Sequence, residues 1–151
     1  MSHIRKQKIL NHDPDRVIFH LRKHFNQEEI NLFPTSAKRL SQESIFSHLL
    51  YGYKDTEYRD GTKYWFKRLT KYLDPDQTNF DLFFPRWGGD KGSKHVADLT
   101  GSLVVHKAWF VEGYPKNNLP RLEAKITGLW YSTMSKKLGI VVSGIVEVKE
   151  I

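Results

Sequence analysis

Along the chain the spacing of apolar residues changes from helical to alternating near Pro75. Up to that point apolar positions recur every three or four residues; from Thr78 they recur every second one. The stretch Asn11-His-Asp-Pro-Asp reads as a helix entry, because Asp13 can cap and Pro14 suits a first turn. Val17, Ile18, Leu21 and Phe25 then fall on one face, which predicts a helix over 14–25 with Arg16, Arg22 and Lys23 toward solvent. The run 29–33 reads as a short extended piece ending at Pro34. Ser41 opens a second helix with Ile45, Phe46, Leu49 and Leu50 as its stripe, stopping before Gly52. Residues 54–61 are charged and turn-like. A third helix over 62–73 starts at the N-cap Thr62, ends at Asp74-Pro75, and turns Trp65, Phe66, Leu69, Tyr72 and Leu73 inward.

The second half predicts strands. Residues 79–84 read as a strand closed by Pro85, and 86–95 as a glycine-rich loop. Three longer strands follow at about 101–112, 120–132 and 138–150, joined by links of hairpin length. The first dozen residues read as a short strand or a basic arm. The expected architecture is α+β: one domain over 1–151, with N-terminal helices (about 12–74) packed on a C-terminal, mainly antiparallel β-meander (about 78–151).

Composition narrows the function classes. The chain has no cysteine, which removes disulfides, thiolate metal sites and cysteine nucleophiles, and fits a reducing compartment. Its first residues lack the apolar core of a secretory signal, and the longest apolar stretch, 138–146, is far short of the ~20 residues a membrane helix needs. The expected location is therefore cytoplasmic, with no membrane partner. Net charge is +7. It is uneven: 14 Lys and Arg against 9 acids through Pro75, then 10 against 8. A field of this sign favours phosphate-bearing partners.

The candidate chemistry is sparse. His20 and His24 stand four apart, the spacing of two helical metal ligands, but no third ligand is placed by spacing and no metal or cofactor is expected. Asp81 with Glu123-Ala-Lys125 resembles the acidic-plus-E-x-K pattern of metal-dependent nucleases, in which carboxylates hold Mg²⁺ and a lysine steadies the transition state. An alternating strand writes that pattern on any polar face. The glycine-rich loop lacks the Walker ending, and Ser102, Ser132, Ser143 and His106 sit in no nucleophile motif.

Two basic features remain. On the third helix Lys63, Lys67 and Lys71 fall at i, i+4 and i+8, with Tyr64 and Arg68 beside them. In the loop, Arg86, Lys91, Lys94 and His95 offer phosphate contacts and Trp87 a stacking surface. Together they give the leading expectation: a non-enzymatic nucleic-acid-associated protein, RNA favoured, acting as a small subunit or accessory factor of a ribonucleoprotein or of a phage-related or RNA-guided defence complex. The alternatives are the metal-dependent nuclease and a protein-interaction or inhibitor module that binds an acidic partner.

Overall fold

The computed structural model describes residues 15–71, 96–112 and 121–148. Strands dominate. In chain order the elements are β1 (Val17–Leu21), α1 (Gln27–Leu32), a 3₁₀ helix (Thr35–Gln42), α2 (Ile45–Leu50), β2 (Thr56–Asp60), α3 (Lys63–Leu69), β3 (Val96–Asp98), a 3₁₀ turn (Thr100–Ser102), β4 (Lys107–Glu112), β5 (Arg121–Ser132) and β6 (Lys137–Val148). Among the described residues these strands form one sheet of six, in the order β1-β4-β5-β6-β2, with β3 also paired to β5.

The expected helical half is therefore corrected: the sheet recruits strands from both halves, curls into a half-barrel, and keeps only short helices. The predicted helix 14–25 is instead strand β1 across residues 17–21, parallel to β4 with Val17 opposite Ala108 and Leu21 opposite Glu112. Its burial alternates, Val17, Phe19 and Leu21 in, Ile18 and His20 half-buried. The helical reading left out Phe19, which is fully buried and stacks on Phe110 at 5.3 Å. Burying such a ring contributes about 1.5–3 kcal/mol, and β-branched neighbours favour the extended backbone.

Local capping overturns the next expectation. The predicted extended piece 29–34 is largely helix α1, because Asn26 accepts from the Glu29 backbone while the Glu29 carboxylate accepts from the Asn26 backbone, each at 2.9 Å. This reciprocal pair satisfies two of the orphan donors at the helix start. The second helix begins at Ile45 behind the cap Ser44, three residues after the expected start. Residues 56–60, read as a turn, are edge strand β2, antiparallel to β6. Thr62 does cap α3, but the helix ends at Leu69, and Thr70 bridges Leu103 in extended geometry.

The long strands match the expected positions more closely: β4, β5 and β6 form an antiparallel meander. β4 starts later than expected because residues 100–102 turn as 3₁₀ helix. Two register shifts bend the long hairpin, between Glu123 and Lys125 and between Ile126 and Gly128. At the first of these β6 carries an extra residue around Gly144, whose φ of +62° is a conformation L side chains rarely adopt. Bulges of this kind sharpen strand twist, and here they curl the sheet.

Inside the curl sits the core. Phe110, Leu122, Leu129, Leu138 and Ile140 are fully buried against Ile45 and Leu49 of α2 and Phe66 and Leu69 of α3. The curl brings the outer edges, β1 and β2, toward each other. Arg59 on β2 donates to the His20 carbonyl on β1 at 3.1 Å, and Arg68 on α3 donates to the Arg16 carbonyl. Two guanidinium groups thus donate to carbonyls at and just before β1, which ends the strand order among the described residues. Among the described residues no helix is long and apolar enough to cross a membrane.

Candidate functional site

The seam between β1 and β2 gathers charge. Alternation along β2 puts Glu57 and Arg59 on one side, opposite Ile140 and Leu138 of β6, with Tyr58 between them on the other. Glu57 is buried at 7% exposure, rare for a carboxylate unless it is paired. It is paired twice: Arg59 Nη2 lies 2.6 Å from one carboxylate oxygen and Lys54 Nζ 3.3 Å from the other. Lys54 also donates to the Thr56 carbonyl at 2.7 Å. The Arg59 guanidinium lies over the rings of Phe19 at 5.2 Å and Trp65 at 5.5 Å, favourable cation–π geometry. Its Nε is buried and, among the described residues, unpartnered.

One carboxylate between two cations leaves a surplus positive charge. The side chains of Lys54 and Arg59 are only 18% and 23% exposed, so water screens that surplus incompletely. A cavity of about 290 Å³ opens on it, bordered by His20 and Arg22 from the β1 side and by Lys54, Glu57 and Arg59 from the β2 side. Arg22 is balanced by Glu29 at 2.8 Å. An anionic group is the natural complement of this chamber.

Next to it lies a second cavity of about 430 Å³, bordered by Phe25, Phe33, His48, Tyr53 and Tyr58, with Lys54 and Asp55 at its polar side. Its volume falls in the range of about 300–1,000 Å³ usual for ligand sites. The two chambers share Lys54 and Tyr58. His48 is buried in α2 and donates Nε2–H to the Leu40 carbonyl, which fixes its ring as a wall. Phe25 and Phe33 pack edge-on against that imidazole, at 4.6 and 5.7 Å between centroids, and Tyr53 at 5.6 Å. On the outer side Tyr58 meets Trp130 edge-on at 5.7 Å. Burial raises the Tyr58 phenol above its ordinary value, and the Asp55 carboxylate raises it further. The phenol is held neutral, able both to donate and to accept.

The sequence candidates fall in several places. On α3, Lys63, Tyr64 and Lys67 are exposed, and the first and last of these share a face. The helix stops before Lys71, so the stripe does not run on to a third helical turn; Lys71 is exposed and its backbone donates to Ser102. Arg68 is half-buried and tied to β1 through the Arg16 carbonyl. Arg86, Trp87, Lys91, Lys94 and His95 lie outside the described residues, as does Asp81.

Glu123 and Lys125 share one face of β5, but the Glu123 carboxylate is held by Arg121 at 2.7 Å, while Lys125 is exposed opposite Lys107. His20 lies on a strand and His24 beyond it, which removes the helical spacing that paired them. No group of three or more metal-binding side chains occurs among the described residues. The cluster of Arg22, Lys54, Glu57 and Arg59 was missed because 54–61 read as a turn. Its available signal was the two-residue alternation of Glu57 and Arg59 against Thr56, Tyr58 and Asp60.

The α3 lysines and the seam are neighbours through Trp65, which carries Arg59 over its ring, stacks on Phe19 at 5.3 Å and meets Tyr64 edge-on at 5.0 Å. In comparisons with known proteins the chain matches no family model, no curated protein and no solved structure.

Proposed function

We propose that this chain is a non-enzymatic nucleic-acid-associated protein that grips the phosphates of a single strand, RNA favoured, along the seam and the adjoining face of α3. The observation that carries the reading is Glu57 shared between Lys54 and Arg59, which leaves a half-buried positive charge facing a cavity. Support comes from the exposed Lys63, Tyr64 and Lys67 on the neighbouring helix, where cations stand beside an aromatic ring. α3 contains no acidic residue. For membership of a larger ribonucleoprotein, size and charge are the whole support.

The test is fluorescence anisotropy with a labelled single-stranded RNA across a salt series. Three phosphate contacts, at the seam, Lys63 and Lys67, give a slope of log affinity on log salt of about −2. Charge reversal by Lys63→Glu with Lys67→Glu reduces the slope to about −1 or less. No binding at low salt, or a slope untouched by the reversal, refutes the reading.

A further inference from the structure

We propose that the aromatic cavity beside the seam is a site for a planar ring that carries an anionic group, the chemistry of a nucleoside monophosphate, either free or as one unit of a strand. The inference extends the phosphate-binding reading by naming what sits next to the phosphate. The cavity wall is rings: Phe25, Phe33, Tyr53 and Tyr58 around the fixed imidazole of His48. Rings bind flat heterocycles by stacking and edge contact, and they do so largely without regard to which heterocycle it is. The anionic group is specified by position. Lys54 borders both chambers, and the carboxylate that balances it is already shared with Arg59. A ring in the larger chamber therefore places an attached phosphate beside Lys54, where positive charge is in surplus.

A purely cationic guest fits less well, because Lys54 Nζ lies 5.3 Å from the Tyr58 ring centre and already occupies the cation–π position on that wall. Asp55 lies on the exposed rim, with the Thr56 hydroxyl donating to it at 3.0 Å. It steers a phosphate toward the seam and away from the mouth. Tyr58 lines both chambers, and its phenol can donate as well as accept.

The experiment has two arms, each on the full chain. Adenosine and uridine monophosphates are titrated by calorimetry, and matched single strands with and without a central abasic unit are titrated by anisotropy. Tyr53→Ala removes one wall from a residue that is 58% exposed, so the fold tolerates it, and Tyr53→Phe keeps the ring. The expected result is a loss of roughly 5- to 150-fold with Tyr53→Ala and little with Tyr53→Phe, in whichever arm binds, with the same range separating base-bearing from abasic strands. Nucleotide binding without strand binding keeps the cavity and removes the strand as its source, which also sinks the function proposed above. Equal affinity for base-bearing and abasic strands, with no response to free nucleotide, overturns the cavity and leaves phosphate gripping intact. No binding in either arm overturns both.

Discussion

Replacing Glu57 by glutamine keeps the shape of the seam and removes its shared counter-ion. Lys54 and Arg59, 18% and 23% exposed, then face one another's field with no carboxylate between them. Breaking a fully buried ion pair from one side costs about 3–5 kcal/mol. Each cation here retains a solvent path, and the amide can still accept one hydrogen bond, so about 2–3 kcal/mol is expected. Removing one of the two cations has a different consequence. Lys54→Met keeps the apolar stem and leaves the Arg59–Glu57 contact at 2.6 Å as a balanced pair, so the loss is chiefly the bond to the Thr56 carbonyl, about 0.5–1.5 kcal/mol. The order of the two variants, not either value alone, tests the surplus charge.

Urea unfolding followed by tryptophan fluorescence and circular dichroism measures both, with equal slopes required for a fair comparison. In a chain of 151 residues a difference of about 2 kcal/mol moves the thermal midpoint by about 4–8 °C. Inorganic phosphate should recover part of the loss in Glu57→Gln, by binding where the carboxylate charge was removed. If Lys54→Met costs as much as Glu57→Gln, the cluster is a balanced network and the reasoning about a surplus is wrong.

Three further outcomes are expected. Gly139→Ala places a methyl 2.1 Å from the Trp130 ring, where ordinary contact needs at least 3.4 Å, so the rigid indole must shift and stability falls by about 1–3 kcal/mol in urea unfolding; Trp130→Ala in the same chain should largely cancel that penalty. Asn26→Ala removes half of the α1 capping box and should cost about 0.5–2 kcal/mol, with hydrogen exchange rising in residues 27–32 and little elsewhere. Tyr58 has a raised value in the folded chain while remaining 55% exposed, so the stability linked to its neutral form is small, complete below about 10 and lost as pH rises through the higher folded-state value; Tyr58→Phe should slightly flatten that alkaline decline, and an unchanged pH profile would count against the shift.

How far the residues announced the fold depended on whether local pattern and tertiary pairing agreed. In β5, Leu122, Ala124 and Ile126 alternate cleanly with Glu123, Lys125 and Thr127, so strand, face and partner were all legible. In β1, Val17, Ile18 and Leu21 satisfy a helical spacing, while Val17, Phe19 and Leu21 satisfy a strand's. Five residues cannot separate the two, and the deciding interaction, a parallel ladder to β4 about 90 positions away, leaves no local trace. In α1 the capping pair Asn26 and Glu29 was present in the chain and outweighs the weak extended reading of 29–33. The site was less legible than the fold. Lys63, Tyr64 and Lys67 are exposed as a helix stripe suggests, but nothing near Lys54 or Glu57 marks them as facing Arg22 and His20 across a seam. Only the curl of the sheet creates that proximity.

The curl also explains why charge is buried there at all. Among the described residues β1 ends the strand order, and guanidinium groups from β2 and α3 donate to the carbonyls of His20 and Arg16 beside it. Arg59 can reach across only if its charge is tolerated inside the seam, which requires a carboxylate two residues away on the same side of the strand, and Glu57 stands there. Lys54 then makes three charged groups where two would have balanced. Lys54 is tied into the fold by its pair with Glu57 and its bond to the Thr56 carbonyl, yet its charge has no carboxylate to itself. The proposed anionic guest would supply a counter-charge for that excess at the edge of the ring-lined cavity. By linkage, that guest would stabilise the seam in proportion to how tightly it binds, about 2.7 kcal/mol at a hundredfold excess over its dissociation constant.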